Sequence, residues 1–341
     1  MSRSFCRIPV FIPQLGCRFA CSYCNQAAIT GITQAPPPEH IDCIVERHLS
    51  TLGADCQAEI AFFGGTFTAL PVELQELYLQ RAARYLQTDT RITAIRFSTR
   101  PDGIDAAMLP VYKSYGVQTI ELGAQSLHDD ILEAVRRGHR RADVETASAR
   151  ILDAGLRLGL QMMIGLPGDS LSRSLETARR FIELGATETR IYPTLVMEKT
   201  LLAEQYRAGR YRPLTLEEAV DWCAELIPLF EAAGVRILRV GLHPSEDLVA
   251  GAGLVAGPFH PAFRALAESA IWGRIWRHED FGQPPTGGRP RLKLWVAPNQ
   301  VNVANGHHGE NKRYLETRFR KVSIYADPTL AGRKYRSALC S

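Results

Sequence analysis

No stretch of this 341-residue chain reaches the roughly 18 consecutive apolar residues of a membrane-spanning helix, which excludes one. The opening Met1-Ser-Arg-Ser-Phe-Cys6 lacks the apolar core of a secretory signal, so the cytoplasm is the expected compartment. Leu15-Gly16-Cys17 faintly resembles a lipoprotein cleavage site, but the run before it is short and broken by Pro13 and Gln14. Cysteines are few, eight in all, and scattered, which excludes the disulfide framework of a small secreted domain. No second cysteine pair completes a zinc knuckle. His40, Cys43 and His48 are the nearest candidates, and their spacing is that of one helix face. Nor is there a well-placed fourth cysteine for an electron-transfer cluster. Net charge is only +4, with 45% hydrophobic and 22% charged residues, the balance of an ordinary soluble globular protein.

What the chain does have is Cys17-Arg-Phe-Ala-Cys21-Ser-Tyr-Cys24, a C-x3-C-x2-C triplet just after the apolar run 8–13. Three thiolates suit three irons of a four-iron cluster and leave the fourth iron open to a substrate or cofactor. Tyr23 supplies an aromatic wall beside it.

Strand-like and helical patterns alternate as far as about residue 240. Strands are expected over 7–12, 59–63, 94–98, 119–122, 157–164 and 189–195, with a further strand over 235–240. Helices are expected over 39–52, 71–86, 104–115, 128–136, 142–154, 170–184 and 215–233, with Gly53, Gly116, Gly155, Gly185 and Gly234 at helix C-caps. Units of roughly 30 residues argue for a parallel sheet. Each of the six strands runs into a polar or glycine-rich segment, which suits the rim of a barrel better than a switch-point crevice. The expected fold is α/β, a partial (β/α)6 TIM-like barrel over residues 1–240. A small C-terminal α+β module follows over 241–341, with a helix over 262–276, strands over 291–296 and 321–325, and a polar helix over 309–319.

Six segments carry a resemblance: Gly64-Gly-Thr-Phe-Thr68, Thr99-Arg-Pro-Asp102, Glu121-Leu-Gly-Ala-Gln-Ser126, Arg137-Gly-His139, Met162-Met-Ile-Gly-Leu-Pro-Gly168 and Ile191-Tyr-Pro-Thr-Leu-Val196. In order and spacing they resemble the radical S-adenosylmethionine (SAM) core of the Elongator catalytic subunit, over roughly residues 5–240. More distantly the chain is similar to oxygen-independent coproporphyrinogen oxidases. It departs from the Elongator subunit in the compact form of its cysteine motif. The roughly 100 residues after the barrel are also too few for an acetyltransferase domain. The resemblance implies a radical SAM barrel. In it a [4Fe-4S] cluster on Cys17, Cys21 and Cys24 chelates the amino and carboxylate groups of SAM. A flavodoxin- or ferredoxin-type donor supplies one electron, and reductive cleavage yields a 5′-deoxyadenosyl radical that takes hydrogen from a substrate.

Position suggests the other roles. Gly64 and Gly65, with Thr66, let the backbone approach SAM closely. Ser98 and Arg100 sit at the third strand end, where a guanidinium can clamp a carboxylate. The alternative is a helix N-cap by Ser98 or Asp102 and a surface Arg100. Glu121 ends the fourth strand and faces ribose hydroxyls, or else pairs with Arg137 or Arg100. Gln125 can bond substrate or cofactor, and the resemblance makes Arg137 a partner of a cofactor carboxylate or of Glu121. His139 is expected as a capping or surface residue. Gln161 and Met163 alternate on the fifth strand and point inward, Met163 toward adenine. Gly165 and Gly168 leave room beside that ring, and Tyr192 covers it or reaches the substrate. Trp272, Trp276 and Trp295 are expected to pack the small module, and His307-His308 to lie in a solvated loop. Cys6, Cys43, Cys56, Cys223 and Cys340 have no assigned role.

Charge is uneven. Residues 264–341 hold 14 Lys/Arg against 6 Asp/Glu, and the first 263 hold 26 against 30. This asymmetry is expected either to dock tRNA or another RNA or to be a solvated face. Three functions stay open: an RNA-modifying radical enzyme, one acting on a small metabolite or peptide, and a non-catalytic SAM-binding iron–sulfur protein.

Overall fold

The structure, a computed structural model, describes residues 5–12, 21–25, 34–282 and 289–340. It begins β1 (Phe5–Ile12), α1 (His40–Thr51), β2 (Gln57–Gly64), α2 (Val72–Thr88), β3 (Ile92–Thr99), α3 (Leu109–Ser114) and β4 (Val117–Gln125). It continues α4 (Asp129–Ala134), α5 (Arg141–Asp153), β5 (Arg157–Ile164), α6 (Leu171–Glu183) and β6 (Glu188–Pro193). Then come β7 (Val196–Met197), α7 (Leu201–Arg207), α8 (Leu216–Ala232), β8 (Arg236–Val240), α9 (Glu246–Val249), β9 (Leu254–Ala256) and α10 (Phe263–His278). The last elements are β10 (Arg291–Val296), α11 (Val301–Asn305), α12 (Glu310–Arg318), β11 (Lys321–Ala326) and β12 (Tyr335–Cys340).

Seven parallel strands form one curled half-barrel sheet in the order β1-β2-β3-β4-β5-β6-β8. The strand expected beyond the sixth is thus a seventh member of the same sheet. The sixth strand stops earlier than its apolar pattern suggests. Both the backbone N–H and the hydroxyl of Thr194 donate to the Ile164 carbonyl. That turns the chain off the sheet, and β7 pairs antiparallel with β9 instead.

Strand alternation sorts the side chains. On β5, Leu158, Leu160, Met162 and Ile164 join Ile8, Val10, Ile60, Phe62, Ile95 and Phe97 in a single core beneath the helices. Arg157, Gly159, Gln161 and Met163 take the opposite, concave face. Helix ends follow local chemistry. Thr215 accepts from Glu218 N–H while the Glu218 carboxylate accepts from Thr215 N–H, a capping box that starts α8. Gly116, Gly155, Gly185 and Gly234 have positive φ after helices, as their placement predicts. Gly53 does not, because α1 already exits through an extended Leu52.

A second core lies under the three-stranded sheet β11-β10-β12. Its third strand, β12, is absent from the sequence expectation because Tyr-Arg-Ser-Ala-Leu-Cys has a weak alternation. α10 serves both cores, giving Phe263, Ala267 and Ile271 to the first and Trp272 and Trp276 to the second. Trp276 is fully buried, its ring lies 4.7 Å from that of Trp272 and tilted by 32°, and it donates its indole N–H to the Ala304 carbonyl at 3.0 Å. Trp276→Ala should lower stability by about 3–5 kcal/mol, read as a shift in the urea midpoint. An unchanged midpoint would refute this packing.

Candidate active site at the strand C-termini

Cys21 and Cys24 bracket one turn, closed by Cys24 N–H donating to the Cys21 carbonyl at 3.0 Å. Two neighbouring segments hold that turn. Ser22 N–H donates to the Val135 carbonyl, and the Ser22 carbonyl accepts from Leu202 N–H. Cys17 lies outside the described residues. Tyr23 fills the space between two small apolar clusters, one with Val196, Leu202 and Tyr211, the other with Ile131, Val135, Leu166 and Met163. Burial, its dominant influence, pushes the Tyr23 phenol up and keeps it neutral.

Arg137 binds this turn to the sheet. Its Nη1 donates to Cys21 Sγ at 3.3 Å and its Nη2 to the Gly123 carbonyl at 2.6 Å. A Cβ on Gly123 would lie 2.7 Å from that Nη2, so glycine leaves the guanidinium its seat. Of the two roles expected of Arg137, the pairing with Glu121 does not form; Glu121 is taken by Arg190, Arg96 and Gln161.

Beside Arg137 stand several polar side chains on β3, β4 and the loop after α4. Arg100 is buried and pairs side-on with Asp102 at 2.9 and 3.1 Å, so it is not a surface residue. Ser98 caps no helix. Its buried Oγ, the Oε1 of Gln125 and the Nδ1 of His139 have no hydrogen-bond partner among the described residues. Gln125 sits at φ 68°, an uncommon conformation for a side-chain-bearing residue. His139 is 2% exposed, not a surface histidine, and its Nε2 meets the Ala124 carbonyl at 3.2 Å. Burial first, then Arg137 and Arg100, push its imidazole down to about 3, so it is neutral at pH 7.

Gly64 closes β2 at φ 109°, where a Cβ would lie 2.7 Å from the Ile12 carbonyl oxygen. The close approach of β1 is thus a reason for glycine there, independent of any ligand. Gly65 N–H donates to that same carbonyl, and Thr66 is buried at the start of a short 3-10 turn. Met163 and Tyr192 are register partners on β5 and β6 and share the concave face. Gly165 and Asp169 fix the next loop. The Asp169 carboxylate accepts from Gly165 N–H and the Ser174 hydroxyl, and burial raises its pKa despite them.

Glu121 departs most from expectation. β4 continues four residues past it to Gln125, so it lies inside the sheet and not at its rim. Its carboxylate accepts from Arg190 at 2.6 Å, Arg96 at 2.8 Å and Gln161 at 2.5 Å, and not from Arg137 or Arg100. Burial alone would raise the Glu121 carboxyl, but Arg190 and Arg96 hold it below the usual carboxylate range. These partners belong to an ionic layer that the motifs do not reveal. Arg96, fully buried, also donates to Glu188 at 2.7 Å, and Arg7 and Arg157 approach Glu59. The available signal was charge at inward positions of apolar strands, as in Gln57-Ala-Glu-Ile-Ala and Glu188-Thr-Arg190.

Residues 11–182 match the family model of the Radical SAM superfamily, and residues 187–272 that of the Radical_SAM C-terminal domain. The chain is 29% identical over 182 residues to a tRNA uridine(34) acetyltransferase of Methanocaldococcus jannaschii, covering 48% of this chain and 34% of that protein. It is 25% identical over 224 residues to the heme chaperone HemW of Bacillus subtilis, covering 64% of this chain and 59% of that protein. It therefore spans about a third to three-fifths of the length of these relatives. A solved Elp3 (Elongator complex protein 3) of Methanocaldococcus infernus shares the fold, with a TM-score of 0.63 and 22% identity over 81% of this chain and 64% of that one. The family match spans half of the chain, so this protein belongs to the radical SAM superfamily, enzymes whose membership implies a [4Fe-4S] cluster and SAM.

Proposed function

We propose that this chain holds a [4Fe-4S] cluster on Cys17, Cys21 and Cys24, binds SAM across the adjoining strand ends, and modifies RNA. One observation carries the cofactor reading. Ser98 Oγ and Gln125 Oε1 are buried without a partner among the described residues, on the strands beside the Arg137-braced cysteine turn. Buried polar atoms normally find partners, and a polar nucleoside with an amino-acid moiety suits this pair. The fit extends to the chemistry of the donor set, two described cysteine sulfurs, one of them against a guanidinium. When bound, the cluster and SAM supply reductive carbon–sulfur cleavage and a 5′-deoxyadenosyl radical.

The chain's own residues do the rest. Arg137 holds the Cys21 sulfur in place from the sheet side. Ser98, Gln125 and Arg100 orient the polar part of SAM, and Gly64, Gly65 and Thr66 shape the neighbouring wall. Tyr23, Met163 and Tyr192 exclude water from the radical's path. Glu121 and Gln161 support this surface from the layer beneath. A flavodoxin- or ferredoxin-type protein is the electron donor.

RNA is supported by the likeness to a relative named for tRNA and by the basic balance of residues 264–341. A second reading, a small anionic metabolite held inside the barrel, rests on the concave face. There Arg7, Arg96, Arg157, Arg190 and Arg236 outnumber Glu59, Glu121 and Glu188. Burial and then the neighbouring Arg96 lower Arg7 to about 10, despite Glu59. The test is 5′-deoxyadenosine formation by anaerobically reconstituted, chemically reduced protein, with and without total small RNA. A several-fold rise with intact RNA, and none with digested RNA, is expected. A rate indifferent to RNA turns the search to metabolites, and no 5′-deoxyadenosine at all overturns the radical reading.

A further inference from the structure

The three-stranded sheet β11-β10-β12 buries one face and leaves the other uncovered among the described residues. Register assigns the faces. Arg291 is paired with Lys321, and Trp295 lies between Tyr325 and Arg336. Leu292, Leu294, Val296 and Val322 occupy the buried face. Alternation therefore sends Arg291, Lys293, Trp295, Lys321, Tyr325 and Arg336 to the open one. The contacts agree. The Trp295 and Tyr325 rings lie 5.9 Å apart, tilted by 31°, and the Arg336 guanidinium sits 6.0 Å from the Trp295 ring centroid. Tyr325 is 44% exposed, unusual for an aromatic ring on a sheet. The three strands contain no carboxylate at all. Asp327, buried just beyond β11, pairs with Arg336. Trp295 therefore does not share the packing role of Trp272 and Trp276, which are fully buried.

The geometry points to a docking surface for single-stranded RNA on this face, with Trp295 and Tyr325 as base-stacking platforms and Arg291, Lys293, Lys321 and Arg336 as phosphate contacts. This deepens the RNA reading above and rests on it. The physical case is complementarity of two kinds at once. Same-face neighbours along a strand are roughly 7 Å apart, close to the spacing of successive phosphates in an extended strand. Flat rings beside them offer each unstacked base a partner regardless of its identity. Ser323 and Ala338 flank Lys293 in register, so no large side chain stands between the aromatic end and the basic end. An acidic protein would meet the same cations but would gain little from paired exposed rings. A duplex would reach the phosphate contacts but keep its bases stacked away from the rings.

The test is fluorescence anisotropy of the full chain with a labelled single-stranded oligouridylate of about twelve nucleotides. Far-UV circular dichroism and the thermal midpoint of each variant serve as folding controls. Trp295→Ala with Tyr325→Ala should weaken binding about tenfold or more at fixed salt. Lys293→Glu with Lys321→Glu should weaken it as well and flatten the loss of affinity from about 50 to about 200 mM KCl. Both pairs are surface substitutions, and the charge pair tests the face even if the aromatic pair perturbs folding. If the parent binds the oligonucleotide with steep salt dependence and neither variant differs, this face is not the site while the RNA reading stands. If only the charge pair matters, and polyglutamate competes as well as the oligonucleotide, the surface is a general polyanion or protein contact and the proposal fails. If the parent binds no RNA and its 5′-deoxyadenosine rate ignores RNA, the underlying reading fails with it.

Discussion

Cys21→Ala should reduce 5′-deoxyadenosine formation to background and remove the visible absorbance of the reconstituted cluster, while the barrel stays folded. The sulfur of Cys21 accepts from Arg137, and its backbone carbonyl closes the turn to Cys24. Substitution removes the sulfur and leaves the backbone bonds of Ser22 and Cys24 in place, so the loss belongs to the thiolate alone. The barrel core contains none of the cysteine turn, which is why stability should barely change. Iron content and 5′-deoxyadenosine are measured together. A variant that loses iron yet cleaves SAM at the parental rate, or keeps both, removes the triplet from the active site.

Arg96→Met should lower stability about as much as Trp276→Ala. Arg96 is fully buried and reaches Glu188 at 2.7 Å, Glu121 at 2.8 Å and Glu59 at 3.4 Å, each itself buried. A well-packed apolar replacement of a whole buried network can be harmless, but removal of the central cation leaves three buried carboxylates each with one fewer cationic partner. The expected loss is about 3–5 kcal/mol near neutral pH. The sign with pH follows from Glu121, whose folded carboxyl is held below its usual range. Its contribution is present above the unfolded carboxylate value of about 4.3 and is lost as pH falls through the folded value. In the variant that carboxyl rises, so the gap between variant and parent should be widest near pH 7 and narrow on acidification. Thermal midpoints at a series of pH values check this. A gap that stays constant with pH would mean that cavity and shape, not charge, cause the loss.

The fold was legible because its signals are local. Period-2 apolar runs such as 157–164, glycine at helix ends and the Thr215–Glu218 box each depend on a few neighbouring residues. The edges of that legibility are local too. The sixth strand ends where Thr194 bonds the Ile164 carbonyl, a contact spanning 30 residues that no window of sequence contains. β12 carries Arg336 and Ser337 in a short edge strand, so only its pairing with β10 defines it.

Residue type at the strand ends was legible where the backbone comes close, as at Gly64 beside the Ile12 carbonyl. Partnership was not. Sequence order offers Arg137 and Arg100 as partners for Glu121, while curvature of the sheet brings Arg190 and Arg96 instead. Arg137 is thereby left for Cys21, and Arg100 for Asp102. The residue types of chain positions 5–240 by themselves determined a parallel half-barrel with a cysteine turn at its strand ends. Tertiary structure alone decided which buried charges meet on the concave face, which polar atoms lack partners at the rim, and which tryptophan faces solvent. Each of these depends on strands distant in sequence being brought within a few ångströms of one another.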